Sequence, residues 1–276
     1  MRFGLDVAQH QLTWDEILAR TRFAEDAGFD GAWVFDHFSA LYADPDGPCF
    51  EGWTLLAALA AATSRIRLGT LVTGMTHRHP SVLATEVVTV DHVSGGRVEC
   101  AVGAAWNVDE HTELGIAFPP VSERMDRLEE GVQVLRLLMS GERVSFEGAH
   151  FRLDGALYRP KPVQQPHPPI WIGGSGRRRT LPIAGRHADV WHGWAESPAE
   201  LAEVRAIIDR AAEEAGRDPA SILRASSLSI SEPWEQVKRE AEWLRDGGIG
   251  YLVIEWPTEG RSRLEGFMEQ VLPALG

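Results

Sequence analysis

The chain has 276 residues, 44% of them hydrophobic, and carries a formal net charge of −13. That length supplies one large core or two small ones, while the acidic balance argues against a nucleic-acid backbone binder, which needs a basic face. No run of about 18 apolar residues offers a membrane span, and the two cysteines, Cys49 and Cys100, make neither a disulfide framework nor a zinc-binding spacing.

The N-terminus MRFGLDVAQHQ shows no charged leader ahead of a long apolar run, so a cytoplasmic location is expected. Short apolar strands and amphipathic helices then alternate. A strand over 2–7 leads into a helix over 13–27, a strand over 31–35 into a helix over 53–63, and a strand over 66–72 into a helix over 80–92. The second of these helices contains LLAALAAAT, apolar and small nearly all round, which predicts burial against a neighbour or a partner subunit. A fourth pair covers 98–103 and 122–139. Residues 141–168 break the rhythm. VSF at 144–146, the turn EG and HFRL at 150–153 read as a short hairpin, with proline-rich chain after it. Strands over 169–172, 188–192, 222–229 and 250–255 resume the pattern, followed by helices over 177–186, 198–215, 235–246 and 263–275.

Eight strand–helix repeats joined by right-handed crossovers predict an α/β fold, a parallel sheet closed into a (β/α)8 TIM barrel. One domain over 1–276 is expected, with an insertion between helix 4 and strand 5. An open doubly wound sheet is the alternative. It would carry a glycine fingerprint after the first strand, and residues 6–11 hold no glycine.

In such a barrel the chemistry belongs at the C-terminal ends of the strands. Asp36-His37 ends the second strand. A neutral imidazole there could donate to a carbonyl or ring nitrogen, with Asp36 or a backbone group fixing its tautomer. A helix-capping Asp beside a packed His is the other reading. The third strand ends at 71–79, which holds His77, Arg78 and His79. An H-x-H pair suits a metal hydrolase, yet in barrel hydrolases it is expected after the first strand, so no metal is expected here.

The fourth strand ends at Gly103, Ala104, Ala105, Trp106 and Asn107. Trp106, Trp191, Trp194 and Trp256 would ring the mouth, with His192 and Glu255 among them. Polar and aromatic groups together are expected around a planar conjugated ligand, although tryptophans are also ordinary core residues. The fifth strand runs into Gly173-Gly174-Ser175-Gly176, followed by Arg177, Arg178 and Arg179. Glycines between a strand end and a helix start let N–H groups converge, and the helix N-terminus adds partial positive charge. The loop therefore suits a phosphate; a plain tight turn with solvated arginines is the alternative. Cys100 has no adjacent histidine and Ser175 lacks the G-x-S-x-G pattern, so neither reads as a nucleophile.

Four segments carry a family resemblance: GFDGAWVFDHF (28–38), RIRLGTLVTGMTHRHPSVLA (65–84), SGGRVECAVGAAWNVDEHTELGIAFPP (94–120) and PKPVQQPHPPIWIGGSG (160–176). Together they resemble the luciferase-like monooxygenase superfamily, and most of all its deazaflavin (coenzyme F420)-dependent oxidoreductases. The resemblance runs from Met1 to about Gly193 and weakens beyond. It implies a (β/α)8 barrel, a homodimer and coenzyme F420, with flavin mononucleotide (FMN) as the alternative cofactor.

The same resemblance implies a cofactor phosphate at Gly173, Gly174, Ser175 and Gly176, with His37 and Asp36 near the ring as the proton-handling pair. It implies a non-prolyl cis peptide after strand three at Leu71–Val72, next to Thr70, supporting the ring from behind. Gly103, Ala104, Ala105, Trp106 and Asn107 are expected on the cofactor side; His77, Trp191, His192, Trp194, Glu255 and Trp256 are expected to line the substrate. Sugar-phosphate dehydrogenases of the family carry an acidic residue where this chain has Trp106, and basic residues that find no match here. The implied substrate is a small apolar or aromatic alcohol, ketone or activated alkene. An FMN enzyme would instead use dioxygen and need a flavin reductase partner.

Overall fold

The computed structural model describes residues 1–41, 44 and 46–275. In chain order the first half comprises β1 (Arg2–Asp6), α1 (Trp14–Ala27), β2 (Gly31–Val34), α2 (Gly52–Ala62), β3 (Arg67–Thr70), β4 (Thr73–Gly74), α3 (Pro80–Ser94), β5 (Val98–Gly103), α4 (Val108–Glu113) and α5 (Val121–Met139). A two-stranded antiparallel hairpin follows, β6 (Val144–Glu147) and β7 (Arg152–Ala156), with Phe146 opposite Leu153. The second half is β8 (Ile170–Gly173), α6 (Thr180–His187), β9 (Val190–His192), α7 (Pro198–Glu214), β10 (Leu223–Leu228), α8 (Trp234–Asp246), β11 (Tyr251–Glu255), α9 (Arg261–Gln270) and α10 (Leu272–Leu275).

Eight strands pair in parallel in the order β1-β2-β3-β5-β8-β9-β10-β11. β11 then pairs with β1, from Arg2 opposite Tyr251 to Asp6 opposite Glu255, and the sheet closes into the expected barrel. Among the described residues no helix is long and apolar enough to cross a membrane.

The side chains that fill the barrel explain its glycines. Trp33, Trp171 and Tyr251 are fully buried. The Trp33 and Trp171 rings lie 4.4 Å apart, and Trp33 Nε1 donates to Tyr251 Oη at 3.2 Å. Room for these rings comes from Gly4, Gly31 and Gly69, where a Cβ would come within 2.5 Å of Trp33 or Tyr251 atoms. The floor is polar at one point: buried Glu99 accepts from Trp171 Nε1 at 2.7 Å and pairs with Arg67. Outside the barrel, helices begin and end where local chemistry dictates. Thr13 and Glu16 form a reciprocal capping box at the start of α1, and Gly28 ends it at φ 83°.

Three expectations need correction. The third strand does not run unbroken over 66–72. β3 stops at Thr70, the Leu71–Val72 peptide is cis, and β4 resumes pairing to β5 at Thr73 opposite Val102. The helix expected from residue 177 starts only at Thr180, because Arg177–Arg179 form a turn. The last helix is two pieces, α9 and α10. A run of apolar residues gives no hint of the first break; the cis position was legible only through the resemblance.

Candidate active site

The strand ends surround a pocket of about 620 Å³ at the mouth of the barrel. One wall is built on Val72, which follows the cis peptide and sits between Gly103 and Gly173. A Cβ on Gly103 would lie 2.8 Å from Val72 Cγ2, and one on Gly173 would lie 2.7 Å from Cγ1. These two strand-end glycines thus open the slot that Val72 fills, leaving Leu71 and Val72 as an apolar surface facing the cavity.

Beside that surface the end of β5 turns sharply. Ala105 adopts φ 60°, a left-handed conformation that costs a non-glycine residue roughly 1–2 kcal/mol. Arg124 on α5 holds the turn by donating from Nη1 to the carbonyls of Ala104, at 3.3 Å, and Ala105. Trp106 follows, largely exposed, with its ring 5.5 Å from that of His37. Asn107 caps α4, accepting from the Glu110 N–H at 3.2 Å.

That short helix supplies the group which decides the chemistry of His37. His37 Nδ1 lies 3.0 Å from Glu110 Oε2. A carboxylate can only accept, so Nδ1 carries a proton, and in the neutral imidazole Nε2 is then the accepting nitrogen. Burial alone would raise the Glu110 carboxyl; the hydrogen bonds it accepts from His37 and from the N–H groups of Phe38 (2.6 Å) and Ser39 (3.2 Å) outweigh it and hold it down at about 2.

Asp36 therefore does not orient His37. Its carboxylate is buried and turned outward to Arg78, which grips it at 2.6 and 3.0 Å. Asp36 instead faces the second histidine, His77, with Nδ1 3.3 Å from Oδ2. His77 Nε2 is buried without a hydrogen-bond partner among the described residues and lies 3.7 Å from Glu110 Oε2.

The H-x-H pair is not a chelating pair: His79 caps α3 by accepting from the Ser81 N–H at 3.1 Å and packs its ring on Phe151. A different trio, His77, Glu110 and His111, has ligand-type atoms within 4.8 Å of one another. Both His111 nitrogens are engaged, however. Nδ1 donates to Asn107 O and Nε2 accepts from the Thr76 hydroxyl, each at 2.7 Å.

Opposite Val72, the ends of β1, β9 and β10 present Asp6, His192 and Ser227 to the pocket. His192 Nε2 and Ser227 Oγ share a hydrogen bond of 3.1 Å. Burial lowers the His192 imidazole to about 4, so it is neutral at pH 7. Burial raises the Asp6 carboxyl to about 6 despite an Ala8 N–H at 2.9 Å.

These observations coincide with a family match: the chain matches luciferase-like monooxygenases over residues 1–271. The chain belongs to the luciferase-like monooxygenase family. Among curated relatives of this luciferase-like chain is an F420-dependent hydroxymycolic acid dehydrogenase of Mycobacterium tuberculosis, 32% identical over 226 residues, covering 82% of this chain and 61% of the relative. Another is an F420-dependent glucose-6-phosphate dehydrogenase of Nakamurella multipartita, 37% identical over 191 residues, covering 68% and 55%. The chain thus spans roughly 55–61% of these relatives' length. An F420-dependent secondary alcohol dehydrogenase, solved in complex with an F420-acetone adduct, superposes with a TM-score of 0.88 over 100% of this chain and 99% of its own, at 23% identity. That likeness bears on the fold.

Within this luciferase-like barrel the residues expected at the site divide. His37, Leu71, Val72, Gly103, Ala104 and Ala105 line the pocket, as do Trp106, Asn107, Gly173, Gly174, His77, His192 and Trp194. Others stand behind it. Thr70 is buried against Thr73, Oγ to Oγ at 2.7 Å. The Ser175 hydroxyl staples β8 to β9, donating to Trp194 O at 2.9 Å and accepting from its N–H at 3.1 Å. Trp191 is fully buried and donates to Gly174 O at 2.9 Å. Gly176 lies on the exposed loop, Glu255 is exposed, and Trp256 packs under Arg20, off the pocket.

The phosphate loop is also less open than the glycines promised. The Gly174 N–H donates to His192 O at 2.8 Å, Arg177 pairs with Glu200 and Glu203, and Arg179 pairs with Asp126. Sequence reasoning missed Asp6, Glu110, His111, Met125, Thr180 and Ser227. Inward alternation along the first and seventh strands is the signal that could have found Asp6 and Ser227; nothing local marked Glu110 as a partner of a residue 73 positions away.

Proposed function

We propose that the chain is an oxidoreductase that binds coenzyme F420 and transfers a hydride between the cofactor and a small organic substrate. The observation that carries this reading is the Leu71–Val72 platform, locked between Gly103 and Gly173 and flanked by His37. An apolar wall, a pocket of about 620 Å³ and one histidine with an accepting nitrogen suit a conjugated ring that exchanges hydride with a substrate carbon while the proton on that carbon's oxygen is handled by the histidine. The F420-dependent activities named for two curated relatives support the choice of cofactor.

The fit of the site to such a group is testable on the chain's own atoms. The slot at Val72 exists only because two glycines lack a Cβ, and Gly174, at φ 119°, keeps the loop beyond it close to α6. Leu71 and Val72 would hold the ring, and Gly173 to Gly176, with the start of α6, its phosphate side. The cofactor supplies the hydride chemistry itself.

The protein's part is position and protons. His37 Nε2 accepts the hydroxyl proton of an alcohol as its carbon gives up hydride, or returns that proton to a carbonyl oxygen in reverse. Glu110 fixes the His37 tautomer and stabilises the imidazolium formed in the forward direction. Trp106 and Trp194 flank the entrance and restrict water. The substrate side is a small molecule, and a homodimer is the proposed assembly.

Single-turnover reduction of bound F420 by a panel of secondary alcohols tests the proposal. His37→Gln is expected to lower the rate on the order of 100-fold or more with cofactor affinity unchanged. An unchanged rate would remove His37 from the mechanism.

A further inference from the structure

The half of the mouth formed by β9, β10, β11 and β1 differs in kind from the Val72 half. It carries three inward polar groups, Asp6, His192 and Ser227, none of them needed for the His37 chemistry. The His192–Ser227 hydrogen bond fixes two of them relative to each other at 3.1 Å. Asp6 is anchored by the Ala8 N–H at 2.9 Å on Oδ1. Among the described residues that line the pocket there is no lysine or arginine. Arg78, behind the His37 wall, is held by Asp36, Glu51 and Glu86. Arg124 is spent on the carbonyls of Ala104 and Ala105.

We propose that Asp6, His192 and Ser227 form the substrate-recognition wall of the pocket, and that they select uncharged hydroxyl- or carbonyl-bearing compounds over phosphorylated ones. This rests on the reading that the cofactor ring occupies the Val72 side. A hydroxyl group can donate to the Asp6 carboxylate and accept from the Ser227–His192 pair; a carbonyl can use the latter alone. A phosphate monoester entering the same space would lose water and meet the Asp6 carboxylate with no lysine or arginine on the described lining to pair with it; Arg20, whose charge reaches Asp6, donates to the Val7 carbonyl and lies over Trp256, off the pocket. The relatives' chemistry does not decide this, since their names span a glucose 6-phosphate enzyme and a hydroxymycolic acid enzyme.

The test compares binding of cyclohexanol and cyclohexyl phosphate to the full chain by ligand-observed NMR, with and without F420. Wild type is expected to prefer the alcohol by about tenfold or more, one tenfold step being about 1.4 kcal/mol. Asp6→Asn, which keeps the shape and the Ala8 contact, should narrow that preference several-fold. Ser227→Lys should narrow or reverse it, so the two variants bear on the wall independently.

Equal or tighter binding of the phosphate by wild type would overturn the proposal. So would a preference that neither variant changes, or no cyclohexanol binding at all. If Asp6→Asn weakens F420 itself and leaves the probes unaffected, Asp6 belongs to the cofactor and the wall is disproved. Because the probes are also read in the cofactor-free pocket, a failure of the F420 assignment appears separately, in the cofactor titration.

Discussion

Asp6, proposed above to recognise substrate, works against stability as an ionised group. Its carboxyl titrates near 3.8 when free and is pushed to about 6 in the fold, chiefly by burial and secondarily by Glu255, against the Ala8 hydrogen bond. Folding is therefore favoured below pH 3.8, and that advantage is lost as pH rises through about 6. Asp6→Asn is expected to raise the unfolding midpoint at pH 7 while the gain disappears near pH 4, read by thermal melts at both values.

His192 works in the opposite sense. Its imidazole falls from 6.5 to about 4 through burial, so the fold is fully supported above pH 6.5 and loses stability as pH drops through about 4. His192→Gln should flatten that part of the stability profile, which denaturant titrations between pH 4 and 7 would reveal. For Glu110 the prediction is functional. Glu110→Gln, which can present a donor instead of an acceptor to His37 Nδ1, should lower the hydride-transfer rate about tenfold or more and displace its pH profile. A loss of rate with an unmoved profile would mark Glu110 as merely structural.

At the scale of elements, the site is an agreement between neighbouring strands. β3 breaks at Leu71–Val72, and β5 and β8 end in the glycines that receive Val72. Gly173→Ala should cost about 1–3 kcal/mol by overpacking and abolish cofactor binding, and Val72→Ala in the same chain should recover much of the stability. A double-mutant cycle of unfolding free energies measures that coupling.

This arrangement also shows what the sequence could and could not convey. The eight strands, most helix bounds and the hairpin follow from two local periodicities, 2.0 and 3.6, and from turn residues. Gly103 and Gly173 were visible as strand-end glycines. What they accommodate was not, because it depends on a residue about thirty positions away in one case and about a hundred in the other. Asp36 beside His37 looked like its partner for the same reason. In the fold Asp36 is taken up by Arg78 and His77, and His37 is left to Glu110 on α4.

At the scale of the whole molecule, closure of β1 on β11 brings the ends of the chain's first and last strands to one rim. Asp6 thereby joins a pocket whose other walls come from the ends of β2, β3, β5, β8, β9 and β10. Trp33, Trp171 and Tyr251 pack against one another and fill the barrel interior. A fold of this kind does not by itself assign a function. The function must therefore be read from what the mouth binds. The most direct measurement is calorimetric titration of the cofactor-free chain with F420 and, separately, with FMN. The account predicts micromolar or tighter binding of F420 and markedly weaker binding of FMN. Preference for FMN, or binding of neither, would contradict it.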